Sequence, residues 1–428
     1  MMRYLNLMIA VGLIGQLAIA AKATTPRDSS SQITIDTDFE GGSARVIELD
    51  QSSVSVRIMP GGDPERGWPA WWCFRVKGLA KGQLLKVSVG PSTSILPFGR
   101  PGGGRPLSRQ WAIPDRAVWS VDSEHWKQTP PGRQDDHGIT YKLTGTGQEM
   151  WVAWGPLATP VVTNGWLKVV AAKHECADLF ELSKTREGRS IRGVRIVSGD
   201  LPVETRPVVW LQARQHAWEC GSSWVARGII EWITGDSVDA VWLRQNMLTF
   251  IVPIMDVDRV VTGDGGKEST PHDHNRDWSD HPHYPEVAAV QRRVSKWAAQ
   301  NRMSVFIDLH NPGPGDREAY FYVPPDESTD DVRKLRLNVC LDEIKSAWDA
   351  AIPFDRTTRS TGPTYHPLWQ QISTTWVIQH SNIKTVSACL ETAWNTPGSS
   401  TEGYRQVGVS VGTGVSRFLQ LDNIQADR

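Results

Sequence analysis

Residues 208–224 read VVWLQARQHAWECGSSW. The run Val208–Ala213 is apolar almost throughout, as expected of a strand buried on both faces of a central sheet rather than one with a wet face. The run breaks at Arg214, delivers His216 and Glu219, and gives way to a helix-like stretch over 222–234. On its own a His-x-x-Glu pair reads as a helix start, so its meaning depends on what else reaches the same place.

Three further runs have the same character: LTFIVPIM (248–255), SVFIDLH (304–310) and KTVSACLE (384–391). They alternate with helix-like stretches at 286–300, 329–350 and 403–421, so the chain from about residue 175 to 425 is expected to be an α/β domain with helices flanking a central sheet. In such sheets ligands gather at the carboxyl ends of the strands. Upstream the texture differs. Short alternating runs such as SARVIELD (43–50), SVSVRIM (53–59) and QLLKVSV (83–89) sit between Gly, Pro and Asp clusters, the pattern of an antiparallel β-sandwich over 32–165. Pro156, Pro160 and Asn164 mark the joint. The loop PFGRPGGGRPLSRQ (97–110) is rich in Gly and Arg but lacks the Lys-Ser/Thr of a phosphate-binding loop, and reads as a plain loop.

Two of the strand ends carry imidazoles. His310 closes one run and His216 follows another, with Glu219 one helical turn from His216. Two His and one carboxylate are the donors of a catalytic zinc site, in which three protein ligands leave a position open for water. The expectation is one Zn²⁺ per chain. Glu391 ends a third run, where a carboxylate can take a proton from that water.

In order along the chain, ELSKTREGRSI (181–191), HAWE (216–219), HNRDW (274–278), FIDLH (306–310) and CLETAWN (389–395) resemble the motifs of zinc carboxypeptidases of the carboxypeptidase A type. The opening segments DFEGGSARVIEL (38–49), WPAWWCFRVKGL (68–79) and WVAWGPL (151–157) are similar to the sandwich that precedes the peptidase domain in the cytosolic carboxypeptidase branch. The resemblance implies a carboxypeptidase-type α/β domain with a mixed sheet. It also implies that zinc is held by His216, Glu219 and His310, that Glu391 is the general base, and that Asp308 orients a ligand. Asn275 and Arg276 match the pair that binds a substrate's free α-carboxylate, a task suited to the planar guanidinium fork. Without the flanking motifs Arg276 and Asp277 would read as a surface ion pair.

The chain departs from that pattern in two places. Trp218 stands inside His-x-x-Glu where digestive members have Arg. The segment expected to carry an Arg that polarises the scissile carbonyl reads VVTGDGGKEST (260–270), leaving Lys267 as the nearest substitute and Arg259 as its competitor. Tyr365, in GPTYHPLW (362–369), lies in the region of the family's mobile Tyr. Thr374 and Lys384 are nominal candidates for side-chain preference, and His272, His274, His281 and His283 are expected to line the cleft or face solvent.

Composition narrows the rest. Lys plus Arg number 46 against 47 Asp plus Glu in 428 residues, which gives no polybasic surface for nucleic acid. The 20 Trp are read mainly as packing residues. Cys73, Cys176, Cys220, Cys340 and Cys389 show no zinc-knuckle spacing and are read as free thiols. The first residues, MMRYLNLMIAVGLIGQLAIAAKATT, have a lone Arg3, an apolar run and small residues at Ala18 and Ala20. That is the form of a signal peptide over 1–23, pointing to an exported, periplasmic or extracellular protein with no stable membrane insertion after cleavage. The implied function is a zinc metallocarboxypeptidase acting on peptide or protein C-termini. The alternatives are a zinc amidohydrolase of cell-wall peptide and a catalytically idle binding protein. The oligomeric state is left open.

Overall fold

The computed structural model describes residues 32–426, so the signal peptide expected over 1–23 lies outside the described residues. The first part is built from ten strands: β1 (Thr34–Asp36), β2 (Arg45–Asp50), β3 (Ser55–Met59), β4 (Cys73–Lys77), β5 (Leu84–Val89), β6 (Val118–Ser120), β7 (Lys127–Gln128), β8 (Arg133–Asp135), β9 (Gly138–Thr144) and β10 (Met150–Ala153). They form two five-stranded sheets, in the orders β1-β4-β10-β6-β7 and β2-β3-β5-β9-β8. Period-two alternation sends Leu85, Val87 and Val89 of β5 inward with Ile139, Tyr141 and Leu143 of β9. Trp72, beside β4, meets Tyr141 of the other sheet with ring centroids 6.1 Å apart, so the sheets face each other as a sandwich. The pairing is antiparallel except between β3 and β5, which run parallel.

The sandwich ends earlier than the composition suggests. Its last strand stops at Ala153, and Pro160 opens a helix, α1 (Pro160–Lys173), capped by the Thr159 hydroxyl accepting from the Val162 amide. This helix lays Trp166 against Trp224 of α2 (Cys220–Ile233), ring centroids 4.7 Å apart, and so packs with the α/β part.

That part is one eight-stranded mixed sheet of β11 (Ala177–Lys184), β12 (Ser190–Ile196), β13 (Val208–Ala213), β14 (Leu248–Val252), β15 (Met303–His310), β16 (Ala319–Val323), β17 (Phe354–Ser360) and β18 (Val386–Glu391), in the order β11-β12-β14-β13-β15-β18-β16-β17. The middle four strands, β14-β13-β15-β18, are parallel. The other helices are α3 (Val238–Asn246), α4 (Val257–Thr262), α5 (Pro285–Ala299), α6 (Asp331–Ser346), α7 (Ser373–His380) and α8 (Thr401–Ala426). The continuous apolar runs are explained by burial on both faces. Val208 and Trp210 of β13 join a core with Val287, Val290 and Val294 of α5, while Val209 and Leu211 join a core with Trp224 of α2 and Val407 of α8. The five cysteines are free, and no helix among the described residues is long and apolar enough to cross a membrane.

Candidate active site

The carboxyl ends of β13, β15 and β18 meet at one place. β13 pairs with β15 from Val208 to Ala213, and β15 pairs with β18 so that His310 lies opposite Glu391. Beyond Ala213 the chain turns at Arg214, a non-glycine residue in the left-handed region at φ 62°, whose buried guanidinium bonds the Ala217 and Ala158 carbonyls. This turn lifts His216 to the sheet edge and lets α2 begin directly after Glu219.

The imidazoles face one carboxylate from two sides. His216 Nδ1 is 2.7 Å from Glu219 Oε1, and His310 Nδ1 is 2.7 Å from Glu219 Oε2. The donor atoms of all three residues lie within 4.8 Å of one another and all three are buried. The opposite ring nitrogens each face another acid: His216 Nε2 is 3.1 Å from Asp273 Oδ1 and His310 Nε2 is 3.2 Å from Asp308 Oδ2. An Nε2–H bonded to a carboxylate fixes the tautomer that leaves the Nδ1 lone pair free to bind a cation.

Charge follows the same logic. Burial alone would lower the His216 imidazole, but Asp273 and Glu219 outweigh it and raise its pKa. For His310 burial is outweighed by Glu219 and Asp308, and its pKa rises well above the usual range. Burial would raise Glu219, yet the two imidazoles hold it down to about 2. Three acids around two imidazoles make a pocket that favours positive charge. Glu219 Oε2 is buried and completes no hydrogen bond, despite its approach to His310. The donor chemistry, shared focus and unsatisfied oxygen fit a zinc ion held by His216, Glu219 and His310.

Beside this cluster sits the Glu391 carboxyl, buried, with Oε2 unpartnered. Burial pushes its pKa up to about 7, against the pull of His310. A cleft of about 140 Å³ opens above, lined among others by Glu219, Glu391, Lys267, Tyr365, Trp68 and Trp111. Lys267 and Tyr365 thus reach the same cleft as the two acids. Burial lowers the Lys267 ammonium, but Tyr365, Asp273 and Glu268 outweigh that and keep it charged, its pKa raised. Its competitor Arg259 is engaged elsewhere, with Nη1 3.3 Å from Asp256 Oδ1 and Nη2 2.7 Å from the Tyr284 hydroxyl.

Asn275 and Arg276 stand one layer deeper. Asn275 Nδ2 is 3.4 Å from His310 Nε2, and its Oδ1 accepts from the Ser373 amide at 2.9 Å. Arg276 is buried, bonds the Asn275 carbonyl at 2.8 Å, and lies 5.6 Å from the Tyr365 ring centroid. The simple ion pair with Asp277 does not form, because Asp277 accepts from the His283 and Tyr284 amides instead. No carboxylate lies within ion-pair distance of Arg276 among the described residues, and its Nε is unpartnered. Asp273, Tyr365 and Glu268 act on this buried cation electrostatically, yet no carboxylate closes an ion pair with it, which leaves its charge to be met by an incoming anion.

Other expectations resolve differently. Trp218 replaces a cation with packing, meeting Trp111 and Trp154 edge-on at 5.4 Å each, while Trp154 meets Trp394 at 4.2 Å. Lys384 precedes β18, at the end of the strand opposite Glu391, and does not reach the site. Thr374 is fully buried at the start of α7, its hydroxyl unpartnered. None of the four clustered histidines enters a potential metal-holding group among the described residues; His274 pairs with Glu286 at 2.9 Å. The reading of the sequence missed Asp273. It directly precedes the quoted motif HNRDW, but its partner is 57 residues away and only the fold joins them. It also missed Trp68 and Trp111, which the sandwich contributes to the cleft wall.

The family profile for zinc carboxypeptidases matches residues 163–400, and that for the cytosolic carboxypeptidase N-terminal domain matches 35–154. An uncharacterized protein of Zymomonas mobilis is 27% identical over 283 residues, covering 64% of this chain and 68% of that protein. Mouse cytosolic carboxypeptidase 3 is 30% identical over 107 residues, 24% of this chain but only 11% of its own length. The chain therefore spans about a tenth of the cytosolic carboxypeptidases it matches. In fold it is similar to a Burkholderia cenocepacia metallo-carboxypeptidase, with TM-score 0.73 and 20% identity over 91% of this chain and 100% of that one. It is likewise similar to a Pseudomonas aeruginosa metallo-carboxypeptidase in complex with (2-guanidinoethylmercapto)succinic acid, with TM-score 0.73 and 18% identity over 90% and 99%. By a profile match covering more than half its length, the chain belongs to the zinc carboxypeptidase family.

Proposed function

We propose that this zinc carboxypeptidase removes the C-terminal residue of a peptide or protein, with His216, Glu219 and His310 as zinc ligands and Glu391 as general base. The observation that carries the reading is the convergence of three buried donor residues, their ligand atoms within 4.8 Å of one another, beside the buried Glu391 carboxyl with its unpartnered Oε2. When bound, zinc supplies Lewis acidity that lowers the pKa of water towards neutrality. Glu391 accepts the water's proton and returns it to the leaving amine, a task matched to a carboxyl poised at about 7. Arg276 and Asn275 receive the terminal carboxylate, which selects chain ends over chain middles. Lys267 offers its ammonium to the carbonyl oxygen as charge develops there, and Tyr365 covers the clamp.

Release of free amino acids from peptides with a free C-terminus, abolished by a chelator and restored by zinc, is the test. Amidated peptides cleaved as well as free acids would overturn it. The apolar N-terminal run Leu5–Ala21, with small residues at Ala18 and Ala20, supports export of the mature chain, and mass analysis of the protein from its native compartment checks the cleavage near residue 23. Export also brings cell-wall peptide into reach as a substrate, so muropeptides belong in the same assay.

A further inference from the structure

We propose that Arg66, a residue of the N-terminal sandwich domain, is a positioning residue for Lys267, which makes the sandwich part of the catalytic apparatus; this rests on the oxyanion role given to Lys267 above. The loop that carries Lys267, residues 263–270, is laid against sandwich residues 63–68 as a seam of main-chain bonds. The Gly266 amide donates to the Arg66 carbonyl at 3.0 Å, the Trp68 amide to the Lys267 carbonyl at 2.9 Å, and the Thr270 amide to the Glu65 carbonyl at 2.8 Å. On its other edge the loop is tied to the metal-binding turn, where the Trp218 amide donates to the Gly265 carbonyl at 3.1 Å.

Arg66 locks this seam from the side. Its Nε is 2.5 Å from Asp264 Oδ2, and its Nη2 reaches Thr262 Oγ1 at 3.2 Å and Glu187 Oε1 at 3.1 Å. Asp264 Oδ1 in turn accepts from the Asp63 amide at 2.9 Å, so one carboxylate is held from both directions by the sandwich. A surface ion pair is worth little, but the Asp264 side chain is only 6% exposed and one guanidinium serves three partners in the planar geometry that Arg alone provides.

The seam is too close for side chains. Gly67, at φ 124°, would place a Cβ 2.2 Å from the Gly266 nitrogen, and Gly265 would place one 1.9 Å from the Trp68 carbonyl. Backbone lies on backbone, and the position of the Lys267 Cα is set by the sandwich. The ammonium then settles 5.6 Å from the Trp68 ring centroid, within the cleft that also holds Glu219 and Glu391.

The test is a double-mutant cycle on the full chain, with kcat, KM and bound zinc measured for Arg66→Ala, Lys267→Ala and the pair. Lys267→Ala should lower kcat by about a hundredfold, the scale of losing one oxyanion donor. Arg66→Ala should lower kcat by about tenfold or more, as a displaced catalytic group does. KM should move less and zinc content should stay. In the Lys267→Ala background, Arg66→Ala should cost nothing further, and Arg66→Lys should recover part of the single-variant loss. If Arg66→Ala fails to fold, Asp264→Asn enters the same seam without removing bulk and should show the same dependence on Lys267. Equal losses in both backgrounds, or no loss in the Arg66 and Asp264 single variants while Lys267→Ala is impaired, would overturn the positioning role alone. An undiminished kcat in Lys267→Ala would overturn the oxyanion role and the positioning role together.

Discussion

His310 and Glu391 lie opposite each other at the ends of neighbouring parallel strands, β15 and β18. Adjacent strands run about 4.8 Å apart, so a proposed zinc ligand and the proposed base are fixed relative to one another by the sheet itself.

Glu391→Gln keeps the shape of the side chain and removes its basicity. Turnover should fall by about a hundred- to ten-thousand-fold while zinc content and substrate binding persist. Single-turnover kinetics with zinc analysis check this. A Gln variant with near-normal turnover would assign the base to another group.

The pH profile should carry the same signature. The base works ionised, and burial pushes the Glu391 carboxyl up to about 7, so activity should fall as pH drops through the acid limb and recover above it. A bound dication favours the carboxylate, which moves the limb below that value and not above it. The limb should vanish from the residual activity of Glu391→Gln. A limb of unchanged position in that variant would contradict the assignment.

Asp308 and Asp273 face the outer nitrogens of the two imidazoles. Asp308→Asn or Asp273→Asn should weaken zinc binding by about ten- to a hundredfold, as loss of such partners does at other zinc sites. Competition with a chromogenic chelator reads this directly. Unaltered affinity in both variants would show that neither acid sets the tautomer.

Arg276→Ala should raise KM for peptides with a free terminal carboxylate far more than for amidated ones, because the charge-assisted fork is lost. Steady-state kinetics on matched acid and amide pairs are the measurement. Equal effects on both would place the clamp elsewhere.

Much of this site was legible in the linear sequence, for a physical reason. A strand buried on both faces must be apolar along its length, so the polar residues His310 and Glu391 at the ends of such runs stand out, as does His216 just past one. The fold class followed from the same contrast, with half-buried sandwich strands alternating and central strands continuous. What could not be read depends on contacts distant in sequence. Asp273 meets His216 only because the loop after α4 folds back over the sheet edge. Trp68 and Trp111 become cleft walls only when the sandwich docks. Pro156 and Pro160 mark the joint correctly, whereas the sandwich bound at 165 falls inside α1, which belongs with the second part because Trp166 packs it on α2. Lys384 is near Glu391 in sequence but lies a strand's length from it, since six residues of extended chain span about 20 Å.

The central claim is that His216, Glu219 and His310 together hold one zinc. Metal analysis of the purified wild-type chain beside His216→Ala and His310→Ala, with hydrolysis measured on the same samples, tests it most directly. Wild type should carry about one zinc per chain, and each variant should lose metal and activity in parallel while keeping its fold by circular dichroism. Either variant retaining a full zinc complement and full activity would contradict the ligand set.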